Sequence, residues 1–321
     1  MPSSTARARR ALSQWDLVED FGIERTALGT MNEVFVVGRT RQSPQLILRG
    51  HRHLDPRLVA FEHEVMATAL RAGTPAPRSI RTRDGTRFAT LEGRHWSLLE
   101  WLPGEHAGRG HTTVSQAASM GEALGVVHAG LAALPCDASA SDARETTETT
   151  VERIGHLLRT LGSLEVKGPD EHAAESWLRG QRAWLEHCGD APLPERGDSQ
   201  VIHGDYHDAN VLFRGDAISG IIDWDKAGVG SPGGEVIRAI HLSFGLEAHV
   251  SRAFLDGYRR HRTMTTEDLD AAAVRYGYGR DRSIWLLDEL YTSGNERLRR
   301  LVNRQPFLPF ARSWDALRTH L

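Results

Sequence analysis

Two His, a Gly, two Asp and an Asn fall within eight residues at His203-Gly204-Asp205-Tyr206-His207-Asp208-Ala209-Asn210. The apolar pair Val201-Ile202 leads in and Val211-Leu212-Phe213 leads out, so the spacing predicts a polar loop pinned between two short buried strands. A second buried strand, Ile221-Ile222-Asp223-Trp224-Asp225, ends in carboxylates, with Asp223 lying 18 residues after Asp205. Two strand-anchored loops rich in carboxylates are what a divalent cation and a phosphoryl group require. In the pattern His-x-Asp-x-x-x-x-Asn, the Asp can accept the proton of an attacking hydroxyl and the Asn can give a carbonyl oxygen to Mg²⁺. Asp223 fits a second Mg²⁺ ligand, since hard cations take oxygen donors. Asp225 reads either as a metal contact or as a partner of Lys226. His203 and His207 have no Cys or third His at ligand spacing, so a zinc pair is disfavoured, and His203 reads as a buried brace.

Three further stretches must hold a nucleotide over such a loop. The turn Gly29-Thr30-Met31-Asn32-Glu33 exposes backbone N–H groups that suit phosphates, although an ordinary hairpin reads the same way. Leu46-Ile47-Leu48-Arg49 puts a cation at a strand end. The first 166 residues contain no Lys, so Arg49 must carry the phosphate-pairing charge, which its bidentate guanidinium can do. A carboxylate on the following helix would orient it: Glu64, or failing that Glu62. Glu100-Trp101-Leu102 lies where sheet gives way to helix, and backbone groups there could read a purine edge.

The 321 residues exceed what one core usually serves, so two lobes are expected. Hydrophobic content of 40% and charged content of 25% suit a soluble globular protein. No apolar run approaches the roughly 18 residues of a membrane span. Net charge is −3, from 39 basic and 42 acidic residues, which disfavours a nucleic-acid partner. Cys136 and Cys188 alone build neither a disulfide framework nor a zinc site, and point to a reducing cytoplasm. The Arg-containing N-terminus reads as a short tail before a helix, not a secretory signal.

Along the chain, residues 11–24 carry a loose helical stripe, and 34–37 with 45–49 form a hairpin. A helix starts at Asp55-Pro56 and ends before Gly73. Residues 79–82 and 88–91 flank Arg83-Asp84-Gly85-Thr86 as a second hairpin. Residues 96–101 form one more strand, broken by Leu102-Pro103-Gly104. Helices follow at 114–134, 151–164 and 171–188, with a polar loop over 137–150, and the pattern is helical again from Glu235 onward.

HGDYHDAN followed by IIDWD resembles the aminoglycoside phosphotransferase/choline kinase-like superfamily, which shares the protein-kinase fold; the loop sits position for position on H-R-D-L-x-x-x-N. GTPAP, LLEWLPG and GVVHAGLAAL extend the resemblance over roughly 25–240. It implies an α+β, two-lobed protein-kinase-like fold. A small antiparallel β-sheet N-lobe with one helix would occupy 1–102, and a larger, mainly helical C-lobe 103–321. It implies Asp205 as catalytic base, Asn210 and Asp223 as Mg²⁺ ligands, Arg49 in place of the usual Lys, and Glu64 as its orienting partner. Gly29 and Asn32 would lie by the phosphates, and Glu100, Trp101 and Leu102 by the base.

The activity implied is transfer of the γ-phosphoryl group of ATP or GTP to a hydroxyl of a small acceptor, by a monomer or homodimer. An antibiotic of aminoglycoside, nucleoside or peptide type, conferring resistance, is the first acceptor expected. Asp208, Asp281, Asp288, Glu289 and Glu296 would then form an acidic surface for its amines. Homoserine, choline or a sugar is the alternative, and a nucleotide-binding regulator without transfer activity is the rival from another class. Two positions depart from the pattern. Arg49 for Lys is more like the homoserine-kinase-like branches. Glu235 stands where an Asp usually supports the catalytic loop, and Glu can do so only from a helix set slightly further away.

Overall fold

A computed structural model describes residues 4–17, 21–26, 32–38, 44–108, 110–136, 145–195 and 197–321. Its N-terminal part is a twisted antiparallel sheet with helices on either side. Helix α1 (Ser4–Leu12) precedes β1 (Gly22–Arg25), β2 (Glu33–Gly38) and β3 (Pro44–Gly50). Helix α2 (Pro56–Arg71) follows, then β4 (Ser79–Ile80), β5 (Ala89–Leu91) and β6 (Arg94–Glu100). The strand order is β1-β2-β3-β6-β4, with β5 also on β6.

The period-two alternation of a strand decides what each face holds. Phe35, Val37, Leu48, Trp96 and Leu98 pack with Trp15 and with Ala8 and Ala11 of α1. Ile47 and Leu99, one residue out of phase, face the other way and join Val65, Met66 and Ala69 of α2. Arg49 and Ser97 share that second face. Helix α2 starts on a capped turn, where the Asp55 carboxylate accepts the Arg57 N–H at 2.9 Å and Pro56 takes the first position.

Two expectations need correction here. The helix near the N-terminus lies at Ser4–Leu12, earlier than the stripe over 11–24, because two buried alanines anchor it. The segments at 79–82 and 88–91 do not pair with each other. β4 pairs with β6 at Leu98 and Leu99, and β5 pairs with β6 at Arg94–Trp96, so both share one edge of the longer strand. The turn between them still forms, with the Thr82 N–H donating to Thr86 O at 2.9 Å.

The C-terminal part is mainly helical: α3 (Val114–Leu131), α4 (Thr147–Gly162), α5 (Pro169–Cys188), α6 (Pro232–Phe244), α7 (Ala248–Arg259), α8 (Thr266–Arg282), α9 (Trp285–Tyr291) and α10 (Phe310–Arg318). Two small ribbons interrupt it. β7 (Gln200–Ile202) pairs with β10 (Gly228–Gly230), and β8 (Val211–Arg214) with β9 (Ala217–Ile221). Helices α3 and α7 cross at reciprocal glycines. A Cβ on Gly121 would collide with Phe254 O, and one on Gly257 with Ala118 O. The largest apolar cluster joins α2, α3, α6, α7 and both ribbons, whereas α4, α5 and α9 form a separate one. Of the loop expected at 137–150, residues 137–144 lie outside the described residues, and Thr147 already opens α4. Among the described residues, no helix is long and apolar enough to cross a membrane.

Candidate functional site

The 203–210 loop spans from β7 to β8 and is held by one buried carboxylate. Glu235, 2% exposed in the first turn of α6, accepts the N–H groups of His203 (3.1 Å), Gly204 (2.5 Å) and Tyr206 (3.4 Å). His128 on α3 meets its other side at 2.9 Å. Burial pushes the Glu235 carboxyl up, and its contacts with His128, His203 and the backbone outweigh this, so its pKa falls below the usual range. The Glu-for-Asp departure therefore keeps the supporting role. Gly204 sits at φ +82 against the Lys226 carbonyl, where a Cβ would collide. Tyr206 donates its hydroxyl to Met120 O at 2.9 Å, tying the loop to α3.

His203 is fully buried, and burial lowers its pKa despite Glu235. Its Nδ1 accepts the Asp205 N–H at 3.2 Å, so the proton is on Nε2, which donates to Ile222 O at 3.0 Å. The neutral ring braces the loop against the Asp223 segment, as its sequence position suggested. Asn210 donates its amide to Asp205 O at 2.9 Å, which leaves its Oδ1 as the atom able to meet a cation.

Asp205 is 7% exposed. Arg238 of α6 pairs with its Oδ1, and the Lys226 ammonium lies 3.0 Å from its Oδ2. Burial alone would raise the carboxyl, but Arg238 and then Lys226 win and depress it. Sequence reasoning missed both cations. Arg238 follows Glu235 by three residues on the same helix and Lys226 ends the IIDWDK run, the two signals that could have found them. Lys226 serves Asp205 and not Asp225, which corrects the pairing considered from sequence.

Asp223 lies just past β9 at φ +62, a left-handed conformation uncommon for a residue with a side chain. Its side chain is half exposed, and desolvation together with Asp225 pushes its carboxyl up. Arg49 reaches toward it at 3.7 Å and toward Asp225 at 3.4 Å. Asp225 also accepts from Asn32 Nδ2 at 2.9 Å, while Asn32 Oδ1 accepts the Arg52 N–H at 2.9 Å. Asn32 thus links the sheet to the acidic segment. Gly29 lies outside the described residues.

Arg49 is buried, and its firm partner is Glu62 at 2.7 Å, not Glu64. Helical geometry explains the correction. Glu62 shares the buried stripe of Val59, Val65, Met66 and Ala69, whereas Glu64 points outward to Arg71 and Arg87. Burial pushes the Glu62 carboxyl up to about 7 against the pull of Arg49. Arg49 Nε and one terminal nitrogen are buried and make no hydrogen bond, and that terminal nitrogen is the one lying 3.4 Å from Asp225 and 3.7 Å from Asp223. A Glu62→Gln variant is expected to raise the nucleotide KM by about tenfold, as one member of a buried charged hydrogen bond is lost. Glu64→Gln should leave it unchanged; steady-state kinetics of the pair check this.

At the junction after β6, the Glu100 N–H donates to Arg78 O at 2.9 Å and the Trp101 N–H to Gln45 O at 3.0 Å. Those two donors are spent within the sheet, so any base recognition there falls to other backbone groups. Leu102 packs over Gly220 of β9.

A pocket of about 600 Å³ opens beside Gly204 and Arg238, between α6, α8 and the start of α9. The acidic surface expected from the sequence is not assembled there. Asp281 is buried and accepts the Phe310 N–H, Asp288 pairs with Arg153, Glu289 faces Arg52, Glu296 pairs with Arg299, and Asp208 is buried in the loop.

Residues 22–272 match the model of the phosphotransferase enzyme family. A homoserine kinase of Rhodopseudomonas palustris (strain BisB18) is 28% identical over 94% of this chain and 88% of its own length. The fold is shared with an amicoumacin kinase solved with AMP-PNP, Ca²⁺ and Ami (TM-score 0.60, 12% identity, 97% of each chain). It is also shared with a microcompartment-associated aminopropanol kinase (TM-score 0.58, 20% identity, 92% and 94%).

Proposed function

Because the chain belongs to the phosphotransferase enzyme family, with a hydroxyl as acceptor, we propose that Asp205 is its catalytic base and that it phosphorylates a small metabolic alcohol. The observation that carries this reading is the Asp205 carboxylate, 7% exposed and held below its ordinary range by Arg238 and Lys226 against burial, with Arg238 itself lining the pocket of about 600 Å³. The acceptor hydroxyl would give its proton to Asp205 as its oxygen bonds to the γ-phosphorus. The bond from that phosphorus to the β-phosphate oxygen breaks, and the nucleoside diphosphate leaves. Arg49, fixed by Glu62, would neutralise the phosphates, and the lobes would part after Leu102.

Among the described residues no three His, Cys, Asp or Glu side chains converge on a metal site. A Mg²⁺ here would therefore take Asp223, Asn210 Oδ1 and phosphate oxygens, a donor set that suits that ion. When bound, it supplies charge neutralisation on the transferring group. The homoserine-kinase relatives favour a metabolic acceptor over an antibiotic, and the five carboxylates expected to gather an antibiotic's amines do not line the pocket. Both free thiols, Cys136 and Cys188, suit a cytoplasmic setting.

The test is a panel of L-homoserine, choline, sugars and aminoglycosides incubated with ATP or GTP and Mg²⁺, read by mass spectrometry for one added phosphoryl group. In the Asp223→Ala variant transfer is expected to fall at least about a hundredfold, the scale of losing an electrostatic stabiliser, with far-ultraviolet circular dichroism unchanged. Near-normal transfer by that variant would refute the site.

A further inference from the structure

Behind Arg49 lies a buried polar chain that the phosphotransfer reading does not use. Ser97 stands opposite Arg49 in the register of β3 and β6. Its hydroxyl meets two imidazoles, Nε2 of His51 just past β3 at 2.7 Å and Nε2 of His63 on α2 at 2.7 Å. All three side chains are buried. His51 turns its other nitrogen, Nδ1, toward Glu62 Oε2 at 3.6 Å, while Glu62 Oε1 accepts from Arg49 at 2.7 Å. Five buried side chains thus run in contact from His63 through Ser97, His51 and Glu62 to the cation that faces Asp223 and Asp225.

The hydrogens of this chain fit in one direction. Burial lowers the pKa of both rings, that of His63 to about 4, so each is neutral at ordinary pH and carries a single N–H. Ser97 has one hydrogen, so it donates to one ring and accepts from the other. His63 Nδ1 is buried without a partner. A proton there would be a stranded donor, so His63 holds its proton on Nε2 and donates to Ser97. Ser97 then donates to His51 Nε2, which leaves the His51 proton on Nδ1, facing the Glu62 carboxylate. The reverse direction would strand an N–H on His63 and set a lone pair of His51 against Glu62. At 3.6 Å the last contact is longer than a hydrogen bond and acts as a dipole beside a charge. Burial presses Glu62 toward its neutral form, so a positive dipole end at its second oxygen helps to keep Arg49 a charged partner.

We propose that His51 is a positioning residue for the nucleotide phosphates: His63 and Ser97 fix its tautomer, and its Nδ1–H holds Glu62, and through it Arg49, in place. This deepens the kinase reading and rests on the proposed phosphate role of Arg49.

Two measurements on the full chain test it. Heteronuclear magnetic resonance of the imidazoles should find the proton on Nδ1 in His51 and on Nε2 in His63; a proton on Nε2 of His51 overturns the chain. The second is calorimetric titration with the tighter-binding of AMP-PNP and GMP-PNP in Mg²⁺, with the matching nucleoside as the phosphate-free control. Asn places its amide nitrogen near the position of His Nδ1, and Gln places its own near Nε2. His51→Gln, which loses the donor toward Glu62, is expected to weaken the nucleotide about threefold to tenfold, the scale of one hydrogen bond, with the nucleoside unchanged. His51→Asn, which keeps that donor, should stay within about twofold of the parent. Ser97→Ala should match His51→Gln, and it decides if the His51 variants do not fold. A merely structural role would lower the urea midpoints and leave nucleotide affinity alone, and that result overturns the inference, as does equal weakening by His51→Asn and His51→Gln. Arg49→Gln separates the two levels. If it weakens the nucleotide while His51→Gln does not, the inference falls alone. If it leaves nucleotide affinity unchanged, the phosphate role of Arg49 falls, and the inference with it.

Discussion

An Asp205→Asn variant is expected to bind nucleotide normally and to transfer phosphoryl about 10²–10⁴ times more slowly, the range of a lost general base. The amide keeps the shape and the contact with Lys226 but cannot take the hydroxyl proton. Single-turnover kinetics at saturating nucleotide isolate the effect, and a kcat near that of the parent would dismiss Asp205 as the base. The pH profile adds a second check. Arg238 and Lys226 hold Asp205 below the ordinary carboxylate range, in spite of burial. Activity should therefore stay level through neutral pH and fall only as pH drops through that depressed pKa. The same ionisation contributes folding stability with a definite sign. The contribution is present above the unfolded carboxylate pKa and is lost as pH falls through the lower, folded one.

The largest effect on stability is expected at Glu235. Its two oxygens accept three backbone N–H groups of the 203–210 loop and face the ring of His128. Glu235→Ala leaves all of them buried and unmatched, and should cost about 3–5 kcal/mol, as when one side of a buried pair is removed. Glu235→Gln should cost less, because one oxygen remains. Glu235→Asp should fall between, since the side chain is one methylene too short for α6 where it stands. Urea midpoints of the three variants give the order directly, and an unchanged midpoint for the alanine variant would refute the role.

The 203–210 loop was legible as a polar unit between two short strands because its pattern is local: one loop carries Asp205 and Asn210, and Asp223 follows just past β9. Arg49 was legible for the same reason, as a cation at a strand end in a stretch without Lys. Its partner was not. Glu62 and Glu64 both follow on α2, and only the packed face, with Leu58 exposed and Glu62 inside, separates them. Helix α1 gave little apolar signal, since two alanines supply its buried contacts. The arginines of the pocket were invisible because α6 and α8 bring them together across about forty residues of chain. The acidic residues noticed instead satisfy arginines and backbone groups of their own. The second hairpin failed because a turn with good local chemistry says nothing about which strand its arms will choose.

The crossing of α3 and α7 carries a consequence for how such a protein can change over generations. Gly121 and Gly257 each face a backbone carbonyl of the other helix, so neither tolerates a side chain alone. Helix α3 also carries Met120 O, which accepts from Tyr206 of the 203–210 loop, and His128, which meets the Glu235 that holds that loop. Drift at that crossing would move the 203–210 loop and, with it, the proposed catalytic base. The cavity face of α8 is tied to the loop at one remove: its Tyr276 meets His241 of α6, the helix that carries Glu235, at 2.9 Å. Exchanges on that face therefore reach the loop less directly than exchanges at the crossing.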